Sequence, residues 1–354
     1  MHLLEPIVFR NGVRAKNRVA LAPMTNGQSH ADGTLGDDEL AWLARRADGG
    51  FGIIETCAAH VAKDGQGWAG ELGVFADEHV PGLRRLASAM HDRGALAIVQ
   101  IFHGGVRTEA KLAGAQPWSA MEGGGARTAT EDDLVRVVGQ FGDAAARAHA
   151  AGMDGVEIHG AHGYLFTQFL SANNRRADRW GGSLENRARL VREAMRAVRA
   201  RVPASFVAGV RLSPEDFGNA KGVDLDESIE VARWLCDDGA DFVHLSLWDA
   251  SLDTKKRPGE HAVALFRAAL PSDVRIFVAG KIWSRADAER LLDRGADVVA
   301  LGRAAIANPD WPTRIADAAW EPKRPPITIA ELRERALNAE FAERMRQWKG
   351  FVAD

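Results

Sequence analysis

The sequence predicts an α/β protein folded as a (β/α)8 TIM barrel, and three observations point there. First, a phrase recurs: GMDGVEI at 152–158, GADFVHL at 239–245 and GADVVAL at 295–301, with DGGFGII at 48–54 as a looser version. Each copy follows an amphipathic helical stretch such as 287–294, where a glycine ends the helix in a left-handed cap before a short apolar strand begins. Second, further apolar runs at 19–22, 96–101, 206–210 and 276–279 bring the total to about eight strands alternating with helices, the pattern of a parallel sheet buried on both faces. Third, these units spread evenly, with no linker or change of composition, which favours a closed barrel over a doubly wound open sheet.

Taken in order, the chain reads as a single domain over 1–354, with an N-terminal cap ahead of the first strand. Helices at 185–200 and 226–237 carry connections between strands. Two Gly-rich stretches, 55–79 and 104–130, fall outside the repeat and read as long loops. In a barrel such loops leave the C-terminal ends of strands, where active sites are built. Residues 331–354 read as a charged amphipathic helical tail with Trp348 and Phe351 near its end, packed on the barrel or on another subunit.

Composition narrows the function. A chain of 354 residues can bury a large core without disulfide or metal staples. Its net charge of -3 offers no basic footprint for nucleic acid and no polybasic membrane patch. Two cysteines, Cys57 and Cys236, are too few to ligate an iron–sulfur cluster. Glu5, Arg10 and Arg14 interrupt the N-terminus before a signal-like apolar run develops, and no stretch approaches the roughly 20 apolar residues of a membrane span. The expected location is cytoplasmic.

The run GQGWAG at 65–70 matches the G-x-G-x-x-G dinucleotide fingerprint, but its context fails. The expected strand end lies several residues upstream and no helix start follows. No helix N-terminus is therefore offered to a pyrophosphate.

Chemistry concentrates at 156–165, VEIHGAHGYL, at the C-terminal end of a predicted barrel strand. The chain's one tyrosine, Tyr164, stands two residues from His162 and five from His159. Two imidazoles and a phenol so spaced could converge on a small molecule, the imidazoles hydrogen-bonding a carbonyl oxygen and the phenol supplying a proton. Two other readings stand beside this one. The imidazoles could simply satisfy loop carbonyls, or they could ligate zinc, which needs a third ligand and usually a helical scaffold that the adjoining glycines disfavour.

The stretch HGAHGYL followed by QFLS at 168–171, and NRRADRWGGSLENR at 174–187, resemble the signature of the Old Yellow Enzyme family of FMN-dependent ene-reductases. Further matches in order are APMT at 22–25, QIFHGG at 100–105 and ALGR at 300–303. The likeness runs from the first strand to about Pro312.

The resemblance implies FMN in the barrel mouth and NAD(P)H as reductant. By position, Pro23, Met24 and Thr25 would line the flavin, Thr25 at O4, where other members place cysteine. Ala58 would lie against the isoalloxazine and Gln100 would grip the pyrimidine edge. Arg211 would face N1 and O2, and Ala279, Gly280, Gly302 and Arg303 would hold the phosphate. His159 and His162 would bind a substrate carbonyl oxygen, Tyr164 would protonate the α-carbon, and Phe102 and Trp248 would shape the substrate pocket. The implied reaction is reduction of an activated alkene, typically an α,β-unsaturated carbonyl compound, in two half-reactions. A dienoyl thioester, amine or nitro substrate, or a metal-dependent hydrolase on the same fold, are the alternatives. As in part of the family, Arg346 and Trp348 could reach a neighbouring subunit's active site in a homo-oligomer.

Overall fold

A computed structural model describes residues 2–353. Eight strands close into an all-parallel barrel: β1 (Val19–Leu21), β2 (Ile53–His60), β3 (Leu96–Phe102), β4 (Gly155–Gly160), β5 (Val207–Leu212), β6 (Phe242–Ser246), β7 (Arg275–Ala279) and β8 (Val298–Leu301). β8 pairs with β1 to complete the circle. Helices between the strands cover the outside, so nearly every strand residue is buried. The repeated glycines act as the sequence predicts. Gly152, Gly239 and Gly295 carry φ of 84°, 111° and 104°, and each turns the chain from a helix end into the next strand.

An N-terminal hairpin, Ile7–Val8 paired with Arg14–Ala15, forms the expected cap. Phe9 beside it sits under the barrel, its ring 6.1 Å from those of Phe242 and Phe277. Those two stack at 4.4 Å inside the barrel. An apolar plug therefore closes the N-terminal end and leaves the other end open.

Three expectations need correction. β2 runs on to His60, so 55–60 of the expected loop 55–79 is strand, with a register shift between Glu55 and Ala58. The polar Glu55, Thr56 and His60 obscured it because their side chains are buried within the protein rather than solvated. The loop 104–130 contains a short helix, Ala110–Ala113, and a two-stranded pair, Trp118–Ser119 with Arg127–Thr128. The tail is not one helix. It breaks into Ile329–Glu334 and Ala339–Arg344, because Ala336 takes φ 62° and Asn338 caps a new start by accepting from the Phe341 N–H. Among the described residues, no helix is long and apolar enough to cross a membrane.

Candidate active site

A cavity of about 670 Å³ opens at the C-terminal mouth of the barrel, within the usual range for small-molecule sites. Residues at or just after the ends of six strands converge on it. Pro23, Met24 and Thr25 follow β1, His162 and Tyr164 follow β4, and Arg211 comes from β5. Ser246 and Trp248 lie at the end of β6, Ala279 and Gly280 at β7, and Gly302 and Arg303 at β8. Trp248 is 54% exposed and stands at the rim with Phe217.

Four expected residues lie beneath this surface. Ala58, Gln100 and His159 are buried just below the lining. Phe102, expected to shape the substrate pocket, is fully buried, its ring 5.1 Å from Tyr164 and 5.3 Å from Trp68. It supports the tyrosine from behind instead of facing a ligand, because Trp68 from the 65–70 loop covers it. That loop starts no helix of its own: the Lys63–Gly65 turn is followed by irregular chain.

The histidines and tyrosine meet as the spacing suggests. The His159 ring lies 5.0 Å from both the His162 and Tyr164 rings. His162 takes φ 62° and Gly163 φ 76°, a left-handed pair that turns the chain just after β4, and His162 and Tyr164 on either side of Gly163 line the cavity. Backbone N–H of Ala161 donates to His159 Nδ1 at 3.2 Å. A neutral His159 therefore carries its proton on Nε2, which lies 3.3 Å from His162 Nδ1. His162 Nε2 in turn lies 2.6 Å from the Ser246 hydroxyl. Burial, then the neighbouring cations, push both imidazoles well below the usual histidine range, so they are neutral donors at neutral pH. Burial pushes the Tyr164 phenol up, while the Arg107 guanidinium, 4.2 Å over its ring, draws it partly back.

At the far side, Gly280 takes φ 154°, and a Cβ there would sit 2.6 Å from the Leu247 carbonyl. Only glycine fits this backbone, which packs closely against Leu247 and Ala250 at the edge of the cavity. Arg303 flanks it, with the Trp348 ring 4.4 Å away. Lys281 turns aside to Asp249 at 3.0 Å. Trp348 thus lines this chain's own cavity, while Arg346 pairs with Glu343 at 2.8 Å.

Below the lining lies a group that the sequence reading missed. Gln100 Nε2 donates to Glu157 Oε1 at 2.6 Å, and His244 Nδ1 donates to Glu157 Oε2 at 2.7 Å. Glu55 lies 3.7 Å from the same nitrogen. Burial and then Glu157 push Glu55 up to about 7. Burial also pushes Glu157 up, but His244, Arg211 and Gln100 outweigh it and hold the group below its usual range. Glu55, Glu157 and His244 are the one cluster of metal-ligating type among the described residues, and His159 and His162 do not belong to it. Arg211 Nε is buried without a hydrogen-bond partner, which leaves the guanidinium suited to a polar ligand in the cavity.

A barrel mouth with Gly280 and Arg303 after β7 and β8, a buried arginine, and imidazoles packed against a phenol suits a flavin-dependent oxidoreductase. The profile of the NADH:flavin oxidoreductase / NADH oxidase family matches residues 2–320, and the chain belongs to this family, the Old Yellow Enzyme family. It is 36% identical over 326 residues to a probable NADH-dependent flavin oxidoreductase of Bacillus subtilis, covering 88% of this chain and 87% of that one. An Old Yellow Enzyme homologue from Zymomonas mobilis superposes with a TM-score of 0.82 at 28% identity, over 91% of this chain and 94% of the other. Morphinone reductase in complex with tetrahydroNAD gives 0.81 at 27% identity, over 94% of each chain. The chain is an FMN-dependent oxidoreductase that takes electrons from NAD(P)H.

Proposed function

We propose that this oxidoreductase reduces the activated C=C bond of α,β-unsaturated carbonyl compounds. The observation that carries this reading is the meeting of two neutral imidazoles with the chain's one phenol at a single cavity. FMN, when bound, would supply hydride chemistry, with NAD(P)H as the source of electrons. Thr25, Ala58, Gln100 and Arg211 would hold the isoalloxazine, and Ala279, Gly280, Gly302 and Arg303 the phosphate.

The protein's own part follows from its residues. His159 and His162 bind the carbonyl oxygen and draw electron density from the alkene, so that the β-carbon accepts hydride. They act without net charge, as burial keeps both imidazoles neutral. Tyr164 delivers a proton to the α-carbon, and Arg107 over its ring favours the release of that proton. Phe102 and Trp68 hold the phenol in place and keep water from its inner side. A positioned acid of this kind contributes about 10²–10⁴-fold, and a positioned donor to a developing oxyanion roughly 2.7–4 kcal/mol.

Turnover of 2-cyclohexenone with NADPH in D2O tests the reading. It places one deuterium at the α-carbon of the product, and turnover slows in Tyr164→Phe, where the deuteron of any product still formed comes directly from solvent. Product without deuterium at that carbon, or no product at all, would contradict it.

A further inference from the structure

The barrel interior beneath the cavity holds more ionisable chemistry than the reaction uses. Gln100 and Glu157 are register partners on β3 and β4, and His244 and Arg211 are partners on β6 and β5. All four are buried, together with Glu55 from β2. Polar groups buried this deeply cost free energy unless each is matched, and the matching here is specific. The two oxygens of Glu157 are divided between Gln100 and His244.

A carboxylate accepts and does not donate, so only the amide nitrogen of Gln100 can face it. Glu157 therefore decides which way that amide points, and its carbonyl oxygen and second N–H are left for another partner. On the other side, Glu157, 2.7 Å away, helps to sustain a charged His244: burial and Arg211 lower the imidazole, but Glu157 and then Glu55 more than restore it. His244 and Arg211 then face one firmly ionised carboxylate, with Glu55 close by. Its Nε2, like both oxygens of Glu55, lacks a hydrogen-bond partner.

We propose that Glu157 is a positioning residue for the flavin, fixing the amide face of Gln100 while holding His244 as a second cation beside Arg211. The cluster would then present a set hydrogen-bonding edge and, while Glu55 is protonated, a surplus of positive charge to the pyrimidine side of FMN, where the reduced cofactor is negative. This rests on the assignment of Gln100 and Arg211 to that edge.

The test is FMN affinity of the apoprotein and reduction potential of the holoenzyme, each read apart from turnover. Glu157→Gln can turn either its oxygen or its nitrogen toward Gln100, so the amide loses its fixed face. Glu157→Gln is expected to weaken binding of oxidised FMN about tenfold, the order of one hydrogen bond. In a Gln100→Ala background the same change costs less than twofold, because the effect travels through Gln100. His244→Gln keeps the Glu157–Gln100 bond but removes a cation. It lowers the affinity for reduced relative to oxidised FMN about tenfold, a potential about 30 mV more negative.

Additive losses in the double variant, or an unchanged potential in His244→Gln, would overturn the proposal. If Gln100→Ala alone leaves FMN affinity intact, the assignment of Gln100 itself falls, and the proposal with it. If Glu157→Gln does not fold, His244→Gln decides the matter by its potential.

Discussion

His162 Nε2, just after β4, and the Ser246 hydroxyl, at the end of β6, meet at 2.6 Å. This contact ends a chain that starts at the Ala161 N–H and passes through both imidazoles. A serine hydroxyl can either accept from that nitrogen or donate to it. If a carbonyl oxygen accepts a hydrogen bond from the His159 Nε2–H, His162 can carry its own proton on Nδ1 and accept from Ser246 instead. Both imidazoles then donate to the same oxygen.

Ser246→Ala removes that choice. We expect KM for an enone to rise about fivefold to tenfold, the worth of one hydrogen bond of about 1 kcal/mol. Reduction of the bound flavin by NADPH should change less than twofold, and stopped-flow measurement of each half-reaction checks both.

Because His159 and His162 are buried and depressed well below 6.5, the alkene half-reaction should show no histidine limb near pH 6.5. Stability behaves differently. The unfolded imidazoles take up protons below about pH 6.5 while the folded ones resist, so stability is present above that pH and lost as pH falls. Thermal unfolding between pH 7 and pH 5 should show a falling Tm, with a shallower fall in His162→Asn.

Glu55 titrates in the opposite sense. Its folded value is raised to about 7, so between pH 4.5 and 7 the folded state holds a proton that the unfolded state has released. Its contribution to stability is complete below about pH 4.5 and lost as pH rises to 7. Glu55→Gln, which mimics the protonated form, should be more stable than the parent at pH 8 and close to it at pH 5, as read by denaturant titration.

Gly280→Ala should abolish tight FMN binding while the barrel still folds. The new Cβ meets the Leu247 carbonyl at 2.6 Å in a backbone conformation that alanine avoids. The apoprotein's far-ultraviolet circular dichroism and an FMN fluorescence titration separate the two effects.

The periodicity of the chain carried most of the fold, because each helix end, glycine turn and buried strand recurs as a phrase. The bounds of β2 were hidden because its polar residues are satisfied inside the protein and mimic a loop in the sequence. The mouth residues Thr25, Arg211, Gly280 and Arg303 were legible through a long family signature, and His159, His162 and Tyr164 also through their own chemistry. The interior cluster was missed, although a signal existed. Glu157 and His244 occupy the same sixth place of the recurring phrase, where Ala300 stands in the third copy. That place is buried on every copy, so a charged residue there requires a buried partner. Arg107 and Ser246 left no such mark, since their contacts join loops and strands distant in sequence.

Electrons should pass from a nicotinamide to an enone through one site that holds the flavin. The direct measurement is an anaerobic absorption spectrum of the purified protein, taken with NADPH and then with 2-cyclohexenone. Flavin bands should bleach with NADPH and return with the enone, with the return slowed about 10²–10⁴-fold in Tyr164→Phe and the bleaching unchanged. Bands that bleach and stay bleached with the enone, or an equal loss of both steps in Tyr164→Phe, would contradict it.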